Sequence, residues 1–181
     1  MIHEVKGDIL LSHAQVIAHA IALHEHFDKG LALSLHEQWP ALVKDYHHFR
    51  HAMQPKFGDA WVWSGAMNKH IISLLVNEPP GQGEKRGRAK LEDVDRALRE
   101  LRGLLESERF ANLALPRLAT GAGGLDWQAV RPLIEHHLGG LALPIYIYTD
   151  FEKGMQAVEP GLSHSSGSKA EKHSTGSNNA N

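Results

Sequence analysis

The feature that most constrains this chain is the glycine-rich segment at residues 113–127, LALPRLATGAGGLDW. Its apolar start predicts a short buried strand, and Asp126 near its end is a good N-cap for a helix. Gly121, Gly123 and Gly124 permit positive φ and let a ligand approach the backbone closely. Backbone N–H groups in such a turn, next to a helix N-terminus, converge on anions. The segment therefore predicts a binding site for a phosphate or diphosphate ester.

Composition narrows the class of protein. The chain has 181 residues, 42% of them hydrophobic, which is enough for one domain with a sizeable core. The formal net charge of −2 argues against the strongly basic surface on which non-specific nucleic-acid binding depends. Cysteine is absent, so disulfides, thiolate nucleophiles and cysteine-ligated zinc are excluded. No apolar run is long enough to span a bilayer, and residues 1–7 are not typical of a signal peptide. We therefore expect a cytoplasmic protein with no membrane partner.

Hydrophobic periodicity predicts strands and helices in alternation. Strands are expected at residues 1–6, 16–21, 60–63, 69–76, 113–118 and 143–148. Helices are expected at residues 30–39, 41–52, 91–105 and 127–138. This order predicts an α/β sandwich with helices on both faces of a mostly parallel sheet, which the hairpin at 60–76 makes mixed. Residues 1–153 are expected to form the domain, and residues 154–181 a disordered polar tail without periodic apolar residues.

A second candidate site lies at residues 5–9, VKGDI, where the first predicted strand ends in an aspartate. The carboxylate of Asp8 can accept a hydrogen bond from an exocyclic amine such as that of adenine, while the N–H of Ile9 donates to the ring. The alternative is that Asp8 only caps a turn.

A third candidate site lies at residues 19–32, where a strand leads through a polar loop into a helix at Gly30. In open α/β sheets ligands bind at the carboxyl ends of the strands, and this helix start again directs backbone donors at an anion. Two such loops on one face would hold both phosphates of a diphosphate. His24 and His26 lack a third ligand at a fixed spacing, so we predict no metal and interpret them as solvated. His47, His48, His51, His136 and His137 are interpreted as exposed helix faces.

These three segments, in this order, resemble the macrodomain family of ADP-ribose-binding modules. The nearest branch is that of terminal ADP-ribose protein glycohydrolases and of bacterial antitoxin macrodomains that remove ADP-ribose from DNA. The similarity rests on PRL at 116–118, GGLDW at 123–127 and IYIY at 145–148, and it extends from about residue 5 to residue 150. It implies a three-layer α/β/α macrodomain sandwich with a mixed, mostly parallel sheet.

The resemblance also implies which residues contact the ligand. Asp8 and Ile9 would hold adenine. The first phosphate loop, which would meet the diphosphate from one side, comprises His19, Gly30, Leu31 and Ala32. The second, which would meet the diphosphate and the distal ribose, comprises Thr120, Gly121, Ala122, Gly123, Gly124 and Leu125. Phe27 would either pack on the distal ribose or anchor its loop in the core.

The chain departs from the family pattern at the distal ribose. The family usually has Asn just after the second strand, whereas this chain has Ala22-Leu23-His24. In the terminal-glycohydrolase branch a Lys after the fourth strand attacks the ribose, and its position here is Asn77. The acid that partners this Lys would fall on Gly123. The covalent route is therefore not expected in this chain.

Several functions stay open at this point. Cleavage of an ADP-ribosyl bond needs a positioned water and nearby negative charge, and His24 and Asp28 are the candidate catalytic residues. The alternative is that they are loop residues that only cover the ligand. The chain would hydrolyse ADP-ribosyl groups from protein or nucleic acid, bind ADP-ribose as a non-catalytic reader, or remove phosphate from ADP-ribose 1″-phosphate. No cofactor is expected; the partner is ADP-ribose or an ADP-ribosylated macromolecule, and the oligomeric state is left open.

Overall fold

A computed structural model describes residues 1–84 and 87–162 of the chain. The strands in these ranges are β1 (Ile2–Gly7), β2 (Val16–Ala22), β3 (Ala60–Ser64), β4 (His70–Glu78), β5 (Arg88–Ala89), β6 (Leu113–Pro116) and β7 (Ile145–Phe151). The α-helices are α1 (Gly30–Gln38), α2 (Pro40–Met53), α3 (Leu91–Ser107) and α4 (Trp127–Leu138). Short 3₁₀ turns lie at Ile9–Leu11 and Ala66–Asn68.

The strands form one mixed sheet in the order β1-β7-β6-β2-β4-β3, with β5 also paired to β4. The neighbouring strands β1 and β7, β7 and β6, β6 and β2, and β2 and β4 are all parallel. Strands β3 and β5 run antiparallel to β4. The carboxyl ends of β1, β7, β6, β2 and β4 therefore lie along one edge. This arrangement confirms the predicted α/β class and the predicted hairpin, and it identifies the edge where a ligand is expected.

Alternate residues of the central strands face two different helical layers. Ala18 and Ile72 belong to a core cluster that also contains Leu98 of α3 and Ile134 of α4. Ile17 points to the opposite face, in a cluster with residues of α1 and α2. Because both faces of the sheet are buried, β2 and β4 are apolar along most of their length. The molecule is thus the expected three-layer sandwich.

The interpretation of His137 as an exposed residue is wrong. His137 is buried in α4, and its Nε2 lies 2.6 Å from Oδ1 of Asp95 on α3. The helical turn places His137 three residues after the buried Ile134, on the side where α4 packs against α3. His47, His48, His51 and His136 are exposed, as expected.

The chain continues in ordered contact with the domain after β7. Residues 154–162, which the sequence assigns to the tail, pack against the end of β1, and Ala157 and Glu159 are buried. The rest of the predicted disordered tail, residues 163–181, lies outside the described residues. Among the helices in residues 1–84 and 87–162, none combines the length and apolar character needed to cross a membrane.

Candidate ligand-binding cleft

A cleft of about 480 Å³ opens at the carboxyl edge of the sheet, between α1 and the segment after β6. The predicted site residues that border it are His19, Gly30, Leu31, Ala32, Gly121 and Ala122. The two segments that the sequence predicts as phosphate loops thus both border one cleft, and each is called one of its walls below.

The first wall is the start of α1. Lys29 precedes this helix in an extended conformation, and no side chain caps it. The N–H groups of Gly30, Leu31 and Ala32 belong to the first helical turn, which has no intrahelical acceptor for them. Gly30 has a φ of +59°, a left-handed conformation that glycine adopts without strain. This wall therefore offers backbone donors and the positive end of a helix dipole to an anion.

The second wall is the glycine loop at residues 119–125, which is tightly closed on itself. The N–H of Leu125 donates to the carbonyl of Ala119 at 3.0 Å, and the N–H of Gly124 donates to that of Gly121 at 3.1 Å. The carbonyl of Gly123 accepts from the N–H of Ala89 at 2.8 Å, which ties the loop to β5. Among the described residues, the N–H groups of Gly121 and Ala122 donate no backbone hydrogen bond, and both residues border the cleft.

Two other predicted residues of this loop hold it in shape. The Thr120 hydroxyl donates to the carbonyl of Arg117 at 2.9 Å. Leu125 packs its side chain against the main core cluster. Thr120, Gly123, Gly124 and Leu125 do not border the cleft, so any ligand contact by them stays a prediction.

His19 lies on the floor of the cleft in an electrically neutral form. Its Nε2 is 2.8 Å from the Ser73 hydroxyl, across the β2–β4 pair. Burial lowers the pKa of His19 from 6.5 to about 3, because the imidazolium would lose its hydration. His19 therefore contributes shape and polarity to the cleft and no positive charge at neutral pH.

Asn77, near the end of β4, lies on the floor between this cleft and a second cavity. Its Nδ2 donates to the carbonyl of Ala20 at 3.2 Å. In the part of the chain that the structure describes, its buried Oδ1 has no hydrogen-bond partner. A Cβ on Gly123 would lie 2.7 Å from this oxygen, so the glycine loop and Asn77 are in close contact. The sequence signal for Asn77 was a polar side chain following the apolar run of β4.

The second cavity, of about 630 Å³, contains both candidate catalytic residues. His24 and Asp28 border it from the loop after β2, and Pro79 and Pro80 from the segment after β4. His24 Nδ1 lies 2.7 Å from an Arg50 nitrogen, which requires an unprotonated Nδ1 because guanidinium is only a donor. The structure brings these side chains to the mouth of the cleft, and their catalytic roles stay predictions.

Glu25, which lies between His24 and Asp28 in the sequence, organises this loop. Its carboxylate accepts from the N–H of Ala22 at 3.1 Å and from the N–H of Phe27 at 3.0 Å. The Tyr46 hydroxyl donates to the carbonyl of Leu23 at 2.6 Å. The loop between β2 and α1 is therefore held from both sides.

Phe27 does not contact the cleft, so its prediction as a ligand-binding residue is wrong. Its side chain is 0% exposed and packs edge-on against the Tyr46 ring, with centroids 5.5 Å apart. The backbone at Phe27 has a φ of +53°, which turns the side chain inward from the loop. Burial of an aromatic ring outweighs the strain of this conformation, and the core-anchor alternative is the one observed.

A third cavity, of about 350 Å³, joins the cleft at Gly30 and Leu31, which border both. Ile9, Tyr148 and Phe151 also border it. Tyr148 and Phe151 are aromatic residues of β7 that the sequence analysis did not predict as site residues. Their position near the carboxyl end of a predicted strand was the signal that could have identified them.

Asp8 lies behind this third cavity, next to Ile9, and is nearly buried. Its Oδ1 accepts from the N–H of Leu10 at 3.0 Å, and its Oδ2 accepts from the N–H of Gly154 at 3.0 Å. Asp8 therefore caps the turn that follows it, as the alternative interpretation of the sequence states. A carboxylate has about four acceptor positions, so capacity for an amine donor is left. Contact between Asp8 and adenine stays a prediction.

Among residues 1–84 and 87–162, no group of three or more His, Asp or Glu side chains is arranged to hold an ion.

Comparison with known proteins places this geometry in context. No protein-family model matches the chain. A DNA ADP-ribosyl transferase–DNA ADP-ribosyl glycohydrolase fusion protein of Thermosipho africanus is 24% identical over an alignment of 168 residues, which covers 86% of this chain and 43% of that protein, gaps not counted. A DNA ADP-ribosyl glycohydrolase of Mycobacterium bovis is 27% identical over an alignment of 133 residues, which covers 72% of this chain and 36% of that protein. The chain thus spans less than half the length of these relatives.

Solved structures show the same architecture. The macrodomain of Mycobacterium tuberculosis DarG superposes with a TM-score of 0.73 at 24% identity, covering 82% of this chain and 97% of that one. Thermosipho africanus DarTG in complex with ADP-ribose superposes with a TM-score of 0.69 at 19% identity, covering 86% of this chain and 42% of that one. The resemblance suggested by the sequence is therefore confirmed, and this chain has the macrodomain fold.

Proposed function

We propose that the chain binds ADP-ribose across the three joined cavities and hydrolyses ADP-ribosyl groups attached to a macromolecule. The observation that carries the proposal is that two backbone-lined walls, the α1 start and the glycine loop, border the same cleft. A diphosphate fits between two such walls because both can present N–H donors. The third cavity shares Gly30 and Leu31 with the cleft, and the second cavity shares Asn77, Gly121 and Ala122 with it.

This order of cavities matches the order of groups in ADP-ribose. Adenine would occupy the third cavity, beside Ile9 and Tyr148. The diphosphate would lie between Gly30 and Gly121, and the distal ribose would reach the floor near Asn77. The macromolecule attached to that ribose would enter through the second cavity, past His24 and Asp28.

The relatives support both parts of the proposal. One solved neighbour is described as in complex with ADP-ribose, and the curated relatives are described as DNA ADP-ribosyl glycohydrolases. ADP-ribosylated DNA is therefore the first substrate to test. A cytoplasmic location remains a prediction from the sequence.

The chemistry would use water rather than a covalent lysine, because Asn77 is a neutral amide that cannot act as an amine nucleophile. Water would attack the ribose carbon as the bond to the attached group breaks through an oxocarbenium-like state. Asp28 would take the proton from that water, and His24, whose Nδ1 accepts from Arg50, would orient the water through its Nε2–H. Ligand phosphates and the carboxylates of the loop would supply nearby negative charge.

Asn77 also favours a second candidate function, that of a reader without catalysis. A buried amide beside the distal ribose position can bind a hydroxyl without promoting bond cleavage. The reader would use the same cleft and the same walls, so only turnover distinguishes it from the hydrolase.

The test combines binding with turnover. Calorimetry with ADP-ribose measures binding, and incubation with ADP-ribosylated DNA, ADP-ribosylated protein and ADP-ribose 1″-phosphate measures release of product. We expect wild-type protein to bind and to release ADP-ribose from DNA, while Asp28→Asn and His24→Gln bind but turn over slowly. His48→Gln, on the exposed face of α2, is the control. Binding without any turnover would make the chain a reader, and absence of binding would refute both functions.

A further inference from the structure

Residues 152–162, called the strap below, cross the carboxyl end of β1 immediately behind the third cavity. The N–H of Glu152 donates to the carbonyl of Gly7 at 3.1 Å, and the N–H of Asp8 donates to the carbonyl of Met155 at 2.7 Å. The N–H of Gly154 donates to Oδ2 of Asp8 at 3.0 Å. The strap thus bonds both the backbone and the carboxylate of Asp8.

The strap approaches β1 so closely that position 7 has no room for a side chain. A Cβ on Gly7 would lie 2.8 Å from the Ala157 nitrogen and 2.8 Å from the Met155 carbonyl oxygen. A real Cβ essentially never lies this close to a backbone atom, so the fit of the strap depends on glycine at position 7. The contact is therefore a packed interface.

Glu159 anchors the far end of the strap. This residue is 2% exposed, and its carboxylate accepts three hydrogen bonds. The donors are the Ser12 hydroxyl at 2.6 Å, the His13 N–H at 2.8 Å and the Tyr148 hydroxyl at 3.0 Å. A carboxylate removed from water is stable only when its oxygens are paired in this way.

These contacts hold two parts of the third cavity. Tyr148 borders the cavity directly, and its hydroxyl is bonded to Glu159. Ser12 and His13 follow the 3₁₀ turn that carries Ile9 and Leu10, which also border the cavity. Asp8, at the start of that turn, is held by Gly154. The strap therefore fixes the aromatic side of the cavity and the carboxylate of Asp8.

We propose that the strap is a positioning element for the nucleobase, with Glu159 as the positioning residue that sets base selectivity. The inference rests on the proposed function, because the base is the adenine of ADP-ribose. The strap orients the Asp8 carboxylate before a ligand binds, so Asp8 loses little freedom on binding and its hydrogen bond to the ligand is strong and directional. In this proposal Asp8 accepts a hydrogen bond from the amino group of adenine. Hypoxanthine has no amino group, so that hydrogen bond is lost.

The experiment compares affinities for ADP-ribose and for its hypoxanthine counterpart. Glu159→Gln replaces one acceptor oxygen with an amide NH2, which would face either the His13 N–H or the Ser12 and Tyr148 hydroxyls. We expect the affinity for ADP-ribose to fall about tenfold and the preference over the hypoxanthine compound to fall by a similar factor. Val158→Ala, on the exposed side of the strap, is the matched control and should change neither quantity.

The ratio of the affinities for ADP-ribose and for its hypoxanthine counterpart separates a positioning role from a general loss of stability. Destabilisation alone would lower both affinities equally and leave the ratio unchanged. Tyr148→Phe removes only the hydroxyl that bonds to Glu159 and carries the test if Glu159→Gln does not fold. An unchanged selectivity ratio in the folded variants would overturn the inference while leaving ADP-ribose binding intact. Wild-type protein that binds neither compound would instead contradict the proposed function, and the inference with it.

Discussion

The substitution Gly123→Ala tests the cleft most directly, because it alters the glycine loop without changing any charge. A Cβ at this position would lie 2.5 Å from the Ala119 carbonyl oxygen and 2.7 Å from Asn77 Oδ1. The first of these is a backbone atom that cannot rotate away. The loop must therefore shift, and with it Gly121 and Ala122, which border the cleft.

The magnitude follows from two separate effects. Forcing an additional methyl group into a packed site destabilises a protein by about 1–3 kcal/mol. Moving two donors away from a charged phosphate removes hydrogen bonds worth about 1.5–3 kcal/mol each. Loss of one to two such bonds weakens ADP-ribose binding by roughly 10-fold to 1,000-fold or more. The effect on binding should therefore exceed the effect on folding.

The assay pairs calorimetry with ADP-ribose and thermal unfolding without ligand. Gly103→Ala, in α3, is the matched control, because a Cβ there meets no atom within 4 Å. It should leave binding unchanged and raise the stability slightly, since alanine is favoured over glycine inside a helix. Gly121→Ala is the second arm: its Cβ also meets no atom within 4 Å. It should fold normally but bind weakly, because its methyl group enters the space assigned to the ligand.

One result would refute the reasoning. If Gly123→Ala binds ADP-ribose with wild-type affinity, the glycine loop does not hold the diphosphate. The same conclusion follows if Gly121→Ala binds normally. A Gly123→Ala protein that is unfolded would leave Gly121→Ala to decide the question.

Two further predictions concern the residues beneath the cleft. Because the pKa of His19 is about 3 in the folded protein and 6.5 in the reference state, the unfolded chain binds a proton that the folded chain does not. His19 should then lower the free energy of unfolding by about 1.4 kcal/mol per pH unit as the pH falls through this window. In urea unfolding experiments, the free energy of unfolding of His19→Gln should therefore fall less steeply below pH 6.5 than that of the wild type. An equal pH dependence would contradict the conclusion that His19 is buried in its neutral form. Tyr46→Phe removes the hydroxyl that donates to Leu23 at 2.6 Å, so it should lower the free energy of unfolding by about 1 kcal/mol in urea titrations. An unchanged value would mean that this bond does not hold the loop.

Local pattern was enough to predict the framework. Apolar runs with strand or helix periodicity form the same secondary structure in most tertiary contexts. The order of strands and helices and the mixed sheet were therefore predictable. The glycine-rich segment was predictable as a site for a related reason, since Gly121, Gly123 and Gly124 have no side chains with which to stabilise a core. Parallel strands then bring the loops after β2 and β6 to the same edge.

Contacts between distant segments were not predictable in this way. Phe27 and His137 lie in stretches that are polar by composition, and only packing against Tyr46 and Asp95 shows that they are buried. Glu159 follows a stretch with no apolar periodicity, yet it binds donors that are more than 140 positions earlier in the chain. No window of sequence contains both partners of such a contact.

The division has a simple physical basis. The sequence by itself determined the layers of the sandwich and the two turns of main chain that border the cleft, because backbone conformation and hydrophobic periodicity are local properties. Only the tertiary structure decided which side chains reach the ligand cavities, which are buried, and that residues 152–162 close behind Asp8. Those outcomes depend on which surfaces meet once the sheet has formed, and burial there outweighs the polar character of the individual residues.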